Sequence, residues 1–557
     1  MNRRSFFKNL ALSKDPIDIP QKAQINALEK FQGTWNKETR LHLLRRTMFG
    51  CTPAEYNSVE TKSLDEILDI LFAGITLPEE PLAYTNSGSI TAGNPWVSAA
   101  YESGSEQQRL TFLQSWQINI VLKQPMRIHD KMVLFWQNHF STGAIVVKDA
   151  RYMYKQTTLL YQQSLGNAKD LVRYMLFDLA MSRYLNNNTN TKSNPNENLA
   201  RELQELFTIG KGPEIAPGNY THYTEQDVKA AGRVISGWAD NQSKLSLVFT
   251  PNNHDTQPKQ FSSTYQNTII KSTANTENSA KTEVDDLLSM IFKQEQTSLH
   301  LIRKLYRFFV DYVIDDSVEN YVIKPLAEQF RAANFEVKPI LRTLLSSTHF
   351  YSNTVRNCFI KTPADLIIGT SRFFHPEGLY PEELNLMHWA NRTLRRLMGN
   401  MGLDIMNPPN VAGIPAYYQE PSFHELWINA DTLQKRIKFT NDLSIDHLQL
   451  DEMDYTKGPL IDVIQFAKDS GDPTDPTVIV NYWCEWLFSM PISETVKNQV
   501  KDFLTAGSPD YEWTVKWNLY IADEANTPQD AAIVSAVEKP LRNLIKYLLA
   551  MAEYQLI

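Results

Sequence analysis

Apolar positions recur along most of this chain at the three- and four-residue intervals of a helix. Leu301, Ile302, Leu305, Phe308, Phe309 and Tyr312 fall on one face when successive residues advance by ~100°, which predicts a helix over 299–313. The same period predicts helices over 38–50, 64–74, 107–122, 127–140 and, as two segments broken near Gly166-Asn167, 156–185. It returns over 322–330, 337–345, 362–374, 427–439, 459–467, 478–488, 492–504 and 531–553. Punctuation agrees with the period. Gly50 is a helix-stop residue, Thr52-Pro53 supplies a cap followed by a first-turn proline, and Thr224 with Asp227 forms a capping-box pattern opening a helix over 224–238.

One stretch alternates instead. Lys244-Leu245-Ser246-Leu247-Val248-Phe249-Thr250 has the two-residue period of a strand, and 261–271 is the segment expected to pair with it. Residues 78–95 and 407–421 are rich in Pro and Gly and read as loops. Seven Asn between Asn186 and Asn198 disfavour regular structure there. No internal repeat is present. The fold class is therefore mainly α, a large multi-helix body with a small β-hairpin excursion near 244–271. The chain divides into a leader over 1–36, an N-terminal helical region over 37–272, a mobile loop over 273–282, a helical region over 283–440 and a C-terminal helical extension over 441–557.

With 557 residues the chain can bury a large core without covalent staples. Its three cysteines, Cys51, Cys358 and Cys484, are far apart, which argues against a disulfide framework or a cysteine-based zinc site. A net charge of −8 argues against nucleic acid as the main partner, because counterion release needs a basic stripe. No apolar run reaches the ~18 residues a membrane span needs. Asn2-Arg3-Arg4-Ser5-Phe6-Phe7-Lys8 is similar to a twin-arginine export motif, but Lys14 and Asp15 arrive where an apolar region of about 7–15 residues is required. The expectation is a non-functional signal in a protein that stays in the cell.

The chemistry concentrates between Asn194 and Gly210. On an α-helix, Glu197, Arg201, Glu205 and Thr208 share a stripe with Glu202 beside it, and Leu199, Leu203, Leu206 and Phe207 take the opposite face. Such a stripe is either a carboxylate cluster for a cation or for acid–base work, with Arg201 holding one Glu ionised, or a solvated face laced by i,i+4 pairs. His254-Asp255, with Lys259 beyond it, either binds metal and shuttles protons or forms an Asx turn. His139 ends an aromatic helix, as a satisfied core residue or as a metal ligand. Zincin, P-loop, Gly-x-Ser-x-Gly and paired Glu-x-x-His signatures are absent.

Six patches carry a family likeness. They are His42-Leu43-Leu44-Arg45-Arg46 with Phe49-Gly50; Lys131 to Trp136 with Asn138-His139-Phe140; Asn196-Glu197-Asn198 with Ala200-Arg201-Glu202 and Glu205-Leu206; Tyr223-Thr224 with Asp227-Val228 and Gly237-Trp238; His254-Asp255 with Lys259; and Asn407-Pro408-Pro409-Asn410-Val411 with Gly413 and Trp427. Together they resemble the bacterial family known as domain of unknown function 1800, over roughly 41–435. The resemblance implies a large, mostly helical protein, often exported and often encoded beside a companion similar to alkaline phosphatases and sulfatases. It names no reaction. Gln137 stands where many relatives have His, and Ile414 where many have Trp.

The resemblance raises the expectation that these polar residues converge. Glu202, Glu205 and His254 are then the catalytic candidates, and Glu197, Arg201, Asp227 and Lys259 the binding candidates. Glu205, His139, His254 and Asp255 are the candidate ligands of a divalent cation. One function is a hydrolase-like enzyme. The other is a non-catalytic partner that binds a phosphatase- or sulfatase-like companion or a polysaccharide.

Overall fold

Several helices in this protein begin where a short polar side chain receives the first free N–H groups. Thr52 accepts from Glu55 N while Glu55 accepts from Thr52 N, and Thr362 with Asp365 and Asn429 with Thr432 repeat the exchange. The computed structural model describes residues 26–451 and 458–557, so the twin-arginine-like motif lies outside the described residues. The architecture is mainly α, as the periodicity predicts, and the described residues hold three small antiparallel strand pairs where one hairpin was expected. No helix among the described residues is long and apolar enough to cross a membrane.

The chain gathers into two compact units, each built from separate stretches. The first takes the described residues of Met1–Thr61 and Trp427–Ile557 together with Ser347–Glu382. Its long helix Ala531–Ala550 buries Val537, Leu541, Leu544, Ile545 and Leu548, an i,i+3/i+4 face packed on Ala430–Asn441 and Glu494–Thr505.

The second unit is Lys62–Ser346 with Glu383–Leu426, and it holds every candidate site residue. Its body includes α1 (Glu106–Leu122), α2 (His129–His139) and α3 (Ala150–Gln162). α1 and α2 are buried almost all round, which is why their sequences read as largely apolar. Trp136 of α2 is fully enclosed and spends its one donor on the Ser164 carbonyl at 3.0 Å. Next come the short α4 (Asn198–Glu202), strands β1 (Glu214–Ala216) and β2 (Asn219–Tyr220), and α5 (Glu225–Val234). Strands β3 (Trp238–Asn241), β4 (Ser246–Phe249), β5 (Lys259–Gln260) and β6 (Ile269–Ile270) lead into α6 (Glu277–Phe292), α7 (Glu295–Phe309) and α8 (Leu384–Asn400).

Two local expectations change. The alternating stretch pairs backward with β3, in the register Trp238↔Phe249 to Asn241↔Ser246, while β6 pairs with β5. The local hairpin needs only a short loop closure, and it packs Trp238 against Phe249, tilted with centroids 5.1 Å apart, in a cluster with Ala280. Helix α5 accordingly stops before Trp238. Gly237 turns the chain at φ +88, and a Cβ there would meet His254 at 2.9 Å, so this position requires glycine. Helix α6 also begins at Glu277, inside the stretch read as a loop. Ala280, Val284, Leu287 and Leu288 give it a buried face that its polar first turn masks.

Candidate functional site

The asparagine-rich loop before α4 is ordered by its own side chains. Asn190 donates to Gly232 O at 2.8 Å and accepts from Asn196 N at 3.0 Å, which ties the approach of α4 to α5. After five residues α4 widens into a π-helical turn, Leu203–Phe207. Such turns are rare and recur at functional sites.

The wider turn changes which side chains share a face. Thr208 does not continue the expected stripe; it is buried and donates back to Leu203 O. Arg201 makes a two-pronged contact with Glu225 of α5, with Nη2 2.9 Å from Oε2, and reaches Glu197 only at 3.9 Å. Glu205 instead accepts from Tyr223 Oη at 2.8 Å and from Lys211 Nζ at 2.9 Å. Lys211 in turn lies over the Tyr220 ring at 4.6 Å.

Glu202 differs from all of these. It is half-buried, and its carboxyl has no hydrogen-bond donor among the described residues. Burial, followed by the nearby Glu205 charge, pushes it up from 4.5 to about 7. Two carboxyls three residues apart are thus placed in different environments: Glu205 accepts hydrogen bonds from Tyr223 and Lys211, while Glu202 accepts none and feels Arg201 and Lys211 only at longer range.

Basic side chains close the far end of the π turn. A helix end leaves carbonyls without partners. Here Leu206 O receives Lys304 Nζ at 3.0 Å and lies 3.2 Å from His300 Nε2, Phe207 O lies 3.2 Å from His139 Nε2, and Gly210 O lies 3.1 Å from His222 Nδ1. His139 Nδ1 is 3.2 Å from Lys304 Nζ, so a neutral ring protonated on Nε2 satisfies both contacts. Burial, then the neighbouring Lys304, drives His139 well below the usual histidine range; burial, then Arg307, brings Lys304 down to about 7. His139 is therefore part of the packing that holds the turn.

The other candidates occupy separate networks. Buried Asp227 accepts from Thr224 N at 2.8 Å and from Ser262 N and Oγ at 2.7 Å each, joining the cap of α5 to the loop after β5. His254 Nδ1 is 2.9 Å from Ser236 O and its Nε2 is 3.1 Å from Glu283 Oε1, so both ring nitrogens already face oxygens. Lys259 and Ser272 also donate to Glu283. Burial alone would push the Glu283 carboxyl up, but His254, Lys259 and Ser272 together hold it below the usual carboxylate range. Asp255 is held by Arg233, with Nε to Oδ2 at 2.6 Å. The metal candidates Glu205, His139, His254 and Asp255 are not brought together, and among the described residues no group of three or more His, Cys, Asp and Glu side chains is arranged to hold a metal ion.

Glu283, Lys304, His300 and Lys211 were not singled out from sequence. Each sits at an ordinary polar position of a helix or loop, and only the tertiary contact reveals its partner. A mainly apolar pocket with a few polar side chains is also present. Gln137, Asn138, Thr142, Gln156 and Asp404 line it with apolar residues that include Leu134 and Ile414. Gln137 exchanges two hydrogen bonds with Gln117, at 2.9 and 3.1 Å, and Asn138 Oδ1 accepts from Ile414 N at 2.8 Å. Gln137 and Ile414 therefore face one pocket.

Within the second unit, α2 touches both the π turn, through His139 and Phe207 O, and the loop that carries Ile414, through Asn138. The model of the family described as "Protein of unknown function (DUF1800)" matches residues 42–556. The chain belongs to this family. The match takes in nearly the whole chain, so both units of this DUF1800 protein are family structure and the C-terminal helices are not an unrelated addition. No curated protein and no solved structure matches the chain.

Proposed function

We propose that this DUF1800 protein is a hydrolase-like enzyme whose working groups are Glu202 and Glu205. The observation that carries this reading is the contrast between them: a half-buried Glu202 carboxyl without a donor, three residues from a Glu205 carboxylate held by Tyr223 and Lys211. A carboxyl kept protonated near neutral pH delivers a proton to a leaving group, and an ionised neighbour activates water or attacks directly. Arg201, spent on its two-pronged contact with Glu225, holds α4 against α5 and so fixes the helix that carries Glu202. The half-buried Tyr220, backed by the buried Tyr223 ring at 5.3 Å, adds apolar surface beside the carboxylates.

His254, Lys259, Asp227 and Asp255 enter this proposal as scaffold, because each is spent on a buried or bidentate partner. No divalent cation is assigned a role, since the carboxylate pair suffices for acid–base hydrolysis. A panel of chromogenic glycosides, carboxylic esters, and phosphate and sulfate esters tests the reading. One class should be hydrolysed with an optimum near pH 6–7, and Glu202→Gln and Glu205→Gln should each lower its rate by ~10²–10⁴. Hydrolysis unaffected by both substitutions, or none of any class between pH 5 and 8, would count against it.

A further inference from the structure

A second polar cluster lies in the first unit, away from the carboxylate pair and independent of its proposed role. Arg436 of the helix Ala430–Asn441 is fully buried, with Nε donating to Gln555 Oε1 at 2.9 Å and Nη2 to Lys361 O at 2.6 Å. Its Nη1 is buried with no hydrogen-bond partner. Lys361, whose carbonyl Arg436 holds, places Nζ 3.7 Å from the centroid of the Tyr554 ring, and the ammonium donates no hydrogen bond. Arg45 stands within electrostatic reach of both Lys361 and Tyr554 and gives its Nη1 and Nη2 to Phe488 O and Trp486 O, both uncharged acceptors.

The charges do not balance. Asp365 is the carboxylate that supports Lys361 and Arg436, and it already accepts from Thr362 Oγ1 at 2.8 Å in the cap of the next helix. A buried guanidinium does not escape its charge by losing a proton, and a buried cation without an anion is costly. Lys361, Arg45 and Arg436 thus gather near Asp365; burial, then Arg45, drives the Lys361 amine well below the usual lysine range, so a further anion would favour its charged form, and Arg436 Nη1 is left without an acceptor. Lys361 is half-buried as a residue, while Arg436 is fully buried.

We propose that Arg436 Nη1 and Lys361 Nζ form a binding site for a small oxyanion, a phosphate or sulfate group, with Arg45 supplying long-range attraction. The anion would accept charge-assisted hydrogen bonds from the two open donors and restore the charge balance of the cluster. Its contacts are to side chains of the first unit alone. Arg45 belongs to one of the sequence patches shared with the family, while Lys361 and Arg436 come from segments more than 300 residues further along the chain, so the site exists only after folding.

The full-length protein tests this directly. Thermal unfolding is followed while inorganic phosphate or sulfate is titrated against chloride at matched ionic strength. Phosphate or sulfate should raise the midpoint saturably, by roughly 1–3 °C, and chloride should not. Lys361→Met and Arg436→Gln should each abolish the anion-specific rise, while Glu202→Gln, in the other unit, should leave it intact. Calorimetric titration of phosphate into the unaltered protein and into Lys361→Met gives the same comparison should Arg436→Gln fail to fold. No anion-specific rise, or a rise of equal size in Lys361→Met, would overturn the proposal.

Discussion

Arg201 turns away from Glu205, four residues along its own segment, and grips Glu225 on the neighbouring helix. That choice leaves Glu205 to Tyr223 and Lys211 and makes the arginine a strut between α4 and α5. Both groups are about one-third exposed, so water screens the pair and its worth is modest. A double-mutant cycle of Arg201→Met with Glu225→Gln should report about 1 kcal/mol of coupling in chemical denaturation. The cycle of Arg201→Met with Glu205→Gln should report none. Coupling to Glu205 as large as that to Glu225 would contradict the assigned geometry.

The network around Glu283 is of a different order because it is dry. Glu283→Ala leaves Lys259 and His254 buried without their acceptor, and a buried ion pair broken on one side costs about 3–5 kcal/mol. The variant should unfold at clearly lower denaturant. A change under about 1 kcal/mol would show that water reaches Lys259, reopening a chemical role for it.

Glu202 gives a stability dependence on pH whose sign is fixed. Its carboxyl loses its proton near 4.5 in the unfolded chain and about 7 in the fold. Between these values the folded state holds the extra proton, so the group's contribution falls as pH rises through that window and is fully unfavourable above it. Glu202→Gln should therefore stabilise the protein at pH 8, by about 1–3 kcal/mol after allowing for its partial exposure, with the gain vanishing toward pH 4. Unfolding midpoints of both proteins across pH 4–8 would show it. A gain that grows toward acid would refute the assignment.

Asp227 links a helix cap to a distant loop. Asp227→Ala removes the acceptor of Thr224 N and of Ser262 N, one a cap and the other a backbone donor at a part-buried contact. A loss of about 2–3 kcal/mol is expected from the two together. Hydrogen exchange should quicken at Ser262 as well as in the first turn of α5; faster exchange in α5 alone would mean that the link to the loop contributes nothing.

The helices were legible because burial on one face imposes a period, and α7 shows it in Leu301, Ile302, Leu305 and Phe309. Caps such as Thr52 with Glu55 were legible because they are local. The Trp238–Phe249 hairpin was assigned the wrong partner strand, since alternation announces a strand without naming its neighbour. The carboxylates of the Asn194–Gly210 segment were visible as residues, but their division into a held Glu205 and an open Glu202 depends on Tyr223 and Lys211. The stripe drawn from a uniform 100° step failed at Thr208, where the backbone changes pitch, and nothing in the residue types there marks the change. His254 looked like a loop histidine free to bind, yet its partner Glu283 lies on α6, beyond any local signal.

The π turn amounts to a helix carrying one surplus residue between Leu203 and Phe207. Chain length, rather than residue type, thus decides where Glu205 points. Deleting a single residue from that stretch would let the turn relax to ordinary pitch and swing the residues beyond it by about 100°. All the carboxylates outside the cut would remain in the sequence while the contacts to Tyr223, His139 and Lys304 were lost. Relatives aligned across this segment would therefore have to keep its spacing for matched glutamates to occupy matched places.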